Sequence, residues 1–443
     1  MKRILFAAAA ALLSTMAGAQ GWSLQQCLDY AAEHNIQVQK NKLTEQQGEE
    51  SLAQYKAALF PSLSFSTSQG LGYRPFQEAT VIVQNGMATS TSNTTTYNGS
   101  YGLNANWTIW NGGINRKNIE AQEVKNEITA LQSAQSLNSI QEQIATLYIQ
   151  ILYTLEAKDV SEKICETAVQ QLNRGKERYE IGDLAKADLA QLESQVASAK
   201  YDIVSQETLI AGFKRQLKAL LELDINTSFD IQIVDMDDEQ ALAPIPAKEE
   251  IYQQALTFRP EIQSAQLQEK SADLSLNIAR RGYYPTISMN AGIGDSHYSG
   301  SQEDFGEQMK RNLNGSLGLS LSVPIFDQRR NKTSVAQARL QKTSAALDLQ
   351  DQQTTLGSTI ENLWLTANSA QQKFIAAMAA AKSQETNYEL INEQFQAGLK
   401  NIVDMLQARD NLLEAEQSKL VSKYTTIIDT QLLYFYANGT ITL

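Results

Sequence analysis

The 443-residue chain has two cysteines, Cys27 and Cys165, and two histidines, His34 and His297. Two cysteines exclude a disulfide scaffold and a Cys-only zinc site, and two histidines exclude a His-rich metal centre. Proline is scarce at 7 residues and charge is held to 19%, which together argue against disorder. Cations are the minority: 37 Lys and Arg face 49 Asp and Glu, for a formal charge of -12. Such a chain is a poor nucleic-acid ligand, because phosphate recognition needs clustered cations. No H-E-x-x-H, G-x-S-x-G or Walker-type loop occurs, so no catalytic residue, cofactor or metal ligand is assigned and no enzyme is expected. The acids Asp235, Asp237, Asp238 and Glu239 lack the spacing and the glycine of a calcium loop, and are expected in a solvated connector.

Long apolar runs are missing too. Beyond the first residues no stretch is long enough for a transmembrane helix. The start itself, Met1 to Ala19, combines Lys2 and Arg3, an apolar run from Ile4 to Leu13, and Ala17-Gly18-Ala19. That pattern is a secretory signal peptide, so the chain is expected outside the cytoplasm. It is then either soluble after export or held in a membrane by strands.

What the chain does have is repetition. Leu59-Phe60-Pro61-Ser62 returns as Tyr283-Tyr284-Pro285-Thr286, and Thr108-Ile109-Trp110-Asn111 as Pro324-Ile325-Phe326-Asp327. Tyr179-Glu180-Ile181-Gly182, followed by Asp188, returns as Phe395-Gln396-Ala397-Gly398, followed by Asp404. The matches are collinear at an offset of roughly 220 residues, which indicates duplication. The expected organisation is a signal peptide at 1–19, a first repeat at 20–221, a connector at 222–248 and a second repeat at 249–443. Each repeat reads as a helix ending at a proline (Ser23 to Leu59; Glu249 to Gly282), two strands, a very long helix and a return helix.

The strands alternate strictly. Leu63, Phe65, Leu71 and Tyr73 oppose Ser64, Ser66, Gly70 and Gly72, and Leu317, Leu319 and Leu321 oppose Gly318, Ser320 and Ser322. At about 10 to 12 residues each, they have the length of tilted bilayer strands. Their polar face is Ser, Gly and Asn with almost no charge, and Tyr73, Tyr97, Trp107 and Trp110 lie near strand ends, as a membrane aromatic girdle would. Pro61 and Pro285 mark where the chain enters the strands, Gly113 and Asp327 where it leaves them. Four strands cannot close a barrel, and an open edge in lipid is forbidden. Three chains would give twelve strands and room for water.

The helices report a length. Gly113 to Gly182 and Arg329 to Gly398 each span about 70 residues, roughly 100 Å. A return helix of about 37 residues stacked on a pre-strand helix of about 32 to 35 covers the same distance, so a column of one unbroken helix down and two stacked helices up is expected twice per chain. Val124, Ile128, Ile140, Ile144 and Ile151 recur near heptad spacing, while Ala367, Ala370, Ala377 and Ala381 suit close helix approach. Gly182 and Gly398 are positioned as C-caps that release the chain into tight turns.

These residues resemble the TolC family of outer-membrane efflux proteins over the whole length beyond the leader. The resemblance rests on Leu24-Gln25-Gln26-Cys27-Leu28-Asp29-Tyr30-Ala31 with Asn35, on Leu59-Phe60-Pro61, and on Trp110-Asn111-Gly112-Gly113. The paired tips carry most of it: Arg178-Tyr179-Glu180-Ile181-Gly182 with Asp188, and Gln394-Phe395-Gln396-Ala397-Gly398 with Val403-Asp404-Met405-Leu406. It implies an α+β membrane protein, a homotrimer whose four strands per chain make a twelve-strand barrel above a periplasmic helical coiled-coil tunnel. It further implies outer-membrane lipid around the barrel, and a periplasmic adaptor (a membrane fusion protein) and inner-membrane transporter at the far end.

Carried over by position, Asp188 and Lys400 correspond to the family's linking acid and base, and Asp404 to an acid of the ring that gates the pore. The tip turns Ile181, Gly182, Asp183, Ala397, Gly398 and Leu399 would meet the adaptor. Phe395 stands where a linking Tyr would be and Gln407 where a second ring acid would be, which implies a missing hydrogen bond and a ring of half the charge. Asp188 and Asp404 also sit in first helical turns, where an acid favours the positive helix end in any protein.

The function implied is a passive duct for small molecules. A conduit for type I protein secretion shares the architecture and is an alternative. A soluble periplasmic coiled-coil scaffold is a third reading, which bilayer-length strands disfavour.

Overall fold

The computed structural model describes residues 21–76, 80–84, 87–91, 95–299, 301 and 303–441. The expected leader lies outside them. The chain divides into a smaller unit, Glu45–Ile128 with Leu267–Leu347, and a larger one made of the remaining segments.

The smaller unit is organised around a four-stranded antiparallel sheet of β1 (Ser62–Tyr73), β4 (Thr95–Trp110), β5 (Thr286–Tyr298) and β6 (Asn314–Ser322), in the order β1-β4-β5-β6. Pairing keeps the sequence alternation in register: Leu63 faces Ala105, Phe65 faces Leu103, and Met289 faces Leu319. Among the described residues nothing covers the apolar face, and Leu63, Phe65, Leu317 and Leu321 are all about two-thirds or more exposed. A soluble sheet would bury that face. A bulge between Thr108 and Trp110 brings Trp110 opposite Ile287, so the indole joins the apolar face. Strands β1 and β6 are the two edges of the sheet.

The connection between β1 and β4 carries structure of its own. It holds a second hairpin, β2 (Thr80–Gln84) with β3 (Met87–Thr91). The Ser/Thr-rich tract Thr89 to Thr96 is divided: its start belongs to β3, its last two residues open β4, and residues 92–94 lie outside the described set. The second connection holds a short helix, α8 (Phe305–Arg311), capped by the Asp304 side chain on the Glu307 N–H at 2.8 Å.

Helices fill the larger unit. The two longest, α3 (Ile114–Glu180) and α9 (Arg330–Gln396), are unbroken at 67 residues each, about 100 Å of helix. They are followed by return helices α4 (Lys186–Leu220) and α10 (Ile402–Asn438). The heptad positions Ile140, Ile144 and Ile151 are buried, as are Ala367, Ala370 and Ala381. Among the described residues no helix is long and apolar enough to cross a membrane.

Both pre-strand segments, expected as single helices, are broken one-third of the way along. The first becomes α1 (Leu24–His34) and α2 (Ile36–Ala57); the second becomes α6 (Lys248–Phe258) and α7 (Pro260–Arg281). At the first break Asn35 is extended (φ -61, ψ 129). Its Nδ2 donates to the Leu220 carbonyl at 2.9 Å, while its Oδ1 accepts from the Gln37 N–H at 2.9 Å. At the second, Pro260 forces Arg259 out of the helical region (φ -67, ψ 128) and itself opens the next helix.

The connector is also more structured than a solvated loop. Trp22 and Ile231 form a parallel bridge, whose carbonyls at Trp22 and Gln232 accept from the Tyr148 hydroxyl. Asp238, at the start of α5 (Asp238–Leu242), pairs with Lys419 and Lys423 at 3.3 Å each. Burial raises its carboxyl while the two ammonium groups lower it, and the net shift is downward.

Candidate functional site

The two turns that join long and return helices are built to one plan. Gly182 (φ 79) and Gly398 (φ 74) take the left-handed conformation, and a Cβ on either would meet nothing, so glycine is chosen for backbone freedom alone. In the first turn the Asp183 N–H reaches the Arg178 carbonyl at 2.8 Å and the Gly182 N–H the Tyr179 carbonyl at 3.0 Å. In the second, Leu399 reaches Gln394 at 2.9 Å and Gly398 reaches Phe395 at 3.0 Å. Both are Schellman closures, satisfying carbonyls the helix end would leave open.

Beneath them lies a small apolar cluster. Leu192, Ile402, Met405 and Leu406 are buried, with Leu172, Leu184, Tyr388, Ile391 and Phe395 packed around them. It fixes both turns on one support. The outermost apolar residues remain uncovered: Ile181 is 79% and Leu399 76% exposed.

The three polar residues expected at the gate are not equivalent. Asp404 lies at the start of α10, where the Asn401 side chain accepts from its N–H at 2.8 Å. Lys400 and Asp404 form an ion pair at 3.6 Å, one helical turn apart. Asp188, the counterpart of Asp404 in the first copy, forms no ion pair or hydrogen bond among the described residues. The cause is local: Leu184 stands where the second copy has Lys400, and the N-cap Ala185 makes no side-chain cap. The structure therefore brings Lys400 together with Asp404 rather than with Asp188.

Two links between the long helices went unnoticed in the sequence. Arg178 donates through Nε to Asp183 at 2.8 Å and holds its guanidinium 5.9 Å from the centre of the Phe395 ring, joining one turn to the other. Phe395 is thus a packing residue under a cation. Deeper, buried Gln171 donates from Nε2 to the Tyr388 hydroxyl at 3.1 Å and to Asn392 at 3.3 Å. The mismatch between Arg178-Tyr179 and Gln394-Phe395 in otherwise paired motifs was the available signal for the first link.

The residues that frame the strands behave as local punctuation. Pro61 and Pro285 immediately precede β1 and β5. Gly113 (φ 78) precedes α3, and Asp327 caps α9 by accepting from the Asn331 N–H at 2.8 Å. Among the described residues no group of three His, Cys, Asp or Glu is arranged to hold a metal.

A four-stranded sheet with an uncovered apolar face, set in a duplicated frame of very long helices, defines a class of outer-membrane channel-forming proteins. The family model described as "Outer membrane efflux protein" matches residues 27–221 and 251–439. The chain belongs to that family, and so to the outer membrane, with a large periplasmic helical portion. It is 23% identical over 302 residues to outer membrane protein TolC of Salmonella enteritidis, covering 67% of this chain and 60% of that one. The chain thus matches about 60% of the length of the first of these relatives. It is 23% identical over 400 residues to a probable efflux pump outer membrane protein, TtgC, of Pseudomonas putida, covering 87% and 77%. Among solved structures, CusC superimposes with a TM-score of 0.79 at 17% identity, over 94% of this chain and 92% of that one, a likeness of fold.

Proposed function

We propose that three copies of this chain form a passive duct through the outer membrane, carrying small molecules delivered by an inner-membrane transporter and a periplasmic adaptor. The carrying observation is the sheet: among the described residues, β1 and β6 have free edges beside an apolar face that nothing covers. Lipid does not tolerate unpaired backbone groups, so these edges pair with those of other copies. Twelve strands leave a water-filled interior lined by the Ser, Gly and Asn face. Nothing in the duct lowers a chemical barrier; the driving energy comes from the transporter.

The paired turns are the adaptor contact, through Ile181, Gly182, Asp183, Ala397, Gly398 and Leu399. Two apolar side chains held out on rigid Schellman turns suit docking to an apolar partner surface. Asp188, Lys400 and Asp404 form the gate. Asp188, without an ion pair or hydrogen bond among the described residues, is the acid free to link neighbouring copies, and Lys400 is drawn between it and Asp404. Single-channel conductance of the detergent-extracted protein in planar bilayers tests this. A small conductance that rises several-fold in Asp188→Ala/Lys400→Ala supports a duct held closed by these residues. Trimers that insert but never conduct would remove the duct.

A further inference from the structure

Where the sheet meets the helices, the smaller unit contains a cavity of about 550 Å³ whose chemistry differs from the rest of the molecule. Its lining includes Trp110, Arg116, Lys117, Arg280, Arg281 and Tyr284, and no acid. In a chain of net charge -12, four cations around one cavity are a local concentration and not a general property.

Two of the four are committed elsewhere. Lys117 pairs with Glu120, and Arg281 donates to the Gly112 carbonyl. Arg116 and Arg280 make no hydrogen bond or close ion pair among the described residues, and both are exposed. Arg280 feels Asp273 only at longer range, since Asp273 is held by Lys342 at 2.5 Å. Trp110 lies on the apolar face of the sheet through the β4 bulge, and its ring packs edge-on against Tyr284 at 6.3 Å. The corresponding turn of the second copy, Gln328 to Lys332, adds Arg329, Arg330 and Lys332, all exposed.

We propose that this cavity binds the phosphate of an anionic phospholipid headgroup in the periplasmic leaflet. The inference rests on the reading of the sheet as membrane-embedded. Trp and Tyr at the end of an apolar strand face sit at headgroup depth, and a guanidinium beside them meets a phosphodiester with matched fork geometry. Arg116 and Arg280 supply the free donors, while Arg281 and Lys117 shape the wall and add field. The strand ends joined to the helices face the periplasm, which selects the phospholipid leaflet.

The test uses the full-length trimer in detergent, with dioleoylphosphatidylglycerol, dioleoylphosphatidylcholine and inorganic phosphate as probes. Retained lipid is counted by native mass spectrometry and stabilisation followed by thermal melting. The wild type should prefer the anionic lipid, and Arg116→Gln/Arg280→Gln should weaken it about tenfold while remaining trimeric. Arg116→Lys/Arg280→Lys should keep part of the preference, since charge survives and the fork does not. Equal retention of both lipids, or an unchanged preference in the Gln variant, overturns the site. Stabilisation by inorganic phosphate equal to that by the anionic lipid makes it a free-anion site and overturns the lipid assignment. Release of the wild type from membranes without detergent would remove the membrane reading itself; a detergent-requiring trimer with no lipid preference removes only this proposal.

Discussion

At the end of β4 the chain turns into α3 through Asn111-Gly112-Gly113, with the two glycines at φ 69 and 78. At the equivalent place before α9 it turns through Asp327-Gln328-Arg329, with φ 54 and 69. The path is the same and the residues are not. Both turns are closed by the residue before them: Asn111 and Asp327 each accept from the backbone N–H four residues on, at 3.3 and 2.8 Å. Asn115 and Asn331, likewise equivalent, reach back to the carbonyls of Ala58 and Gly282. Duplication has preserved a scaffold of side-chain-to-backbone hydrogen bonds while the other side chains around it diverged. The differences between the copies show where each acquired a separate task.

The largest contrast is at the two helix breaks. The first is held by a neutral amide, Asn35; the second by a charge. Arg259 is 5% exposed, donates to Glu261 at 2.7 Å, and lies 4.2 Å from the centre of the Tyr436 ring. Removing one member of a buried ion pair leaves the other uncompensated and costs about 3–5 kcal/mol. Loss of a capping amide costs about 1–2 kcal/mol. Arg259→Met should therefore lower the unfolding free energy about twice as much as Asn35→Ala, read by denaturant melts of the detergent-solubilised protein. Equal effects would mean that the breaks are stabilised by the backbone alone.

Next is a position where the copies disagree in polarity. Phe213 packs against the main apolar cluster, and its counterpart is Asp429, whose Oδ2 is buried without a partner. Burial raises the Asp429 carboxyl from 3.8 to about 6. A raised folded-state value means that folding favours the protonated acid. The resulting penalty is absent below about pH 4, grows as pH rises towards 6, and is complete above it. Asp429→Asn should stabilise the protein by roughly 2–3 kcal/mol at pH 7.5 and by nothing from this source near pH 3.5. A gain independent of pH would show that the ionisation of Asp429 is not the source.

A smaller effect separates the strand-exit turns themselves. A Cβ on Gly112 would stand 2.8 Å from the Tyr284 Cβ and 3.1 Å from the Arg281 carbonyl, so Gly112→Ala combines left-handed strain with a contact that must move. We expect a loss of about 2 kcal/mol. Arg329→Gly in the other turn relieves strain and should gain about 1 kcal/mol. If Arg329 serves only the turn, that variant is better in every assay; if it serves the membrane surface, stability rises while retention of anionic lipid falls.

The legible part of this molecule was the part that repeats or alternates. Strict alternation with Leu on one face and Ser or Gly on the other gave four strands, and heptad spacing along Ile140, Ile144 and Ile151 gave the long helices, because burial acts on periodic patterns. Single residues that interrupt a pattern were lost in it. Pro260 announced the break at Arg259, yet the surrounding periodicity carried the helix through; Asn35 gave a weaker signal of the same event. The β2–β3 hairpin was signalled only by Val81-Ile82-Val83, a β-branched run too short to show a period. At the turns, Gly182 and Gly398 could be read from conformational need. The pairing of Lys400 with Asp404 within the chain was also available, as a base and an acid four residues apart, beside the link to Asp188 that the resemblance implies.

That choice of partner is the smallest effect in energy and the most informative for function. The Lys400–Asp404 pair is about 40% exposed on both sides and joins the residue before the N-cap to the first turn of α10, so it contributes no more than about 0.5 kcal/mol. Lys400→Ala should leave the melting temperature within error. Its effect on conductance separates two arrangements. If Lys400 is held by Asp404 alone, removing it frees an acid at the turn, raises cation selectivity and leaves the closed conductance unchanged. If Lys400 also bridges to the unpaired Asp188 of a neighbouring copy, closed conductance rises, and Asp188→Ala rises by the same amount without a further increase in the double variant. Identical non-additive rises identify one shared link. Independent rises assign Asp188 another partner and leave Lys400 as a helix-end charge.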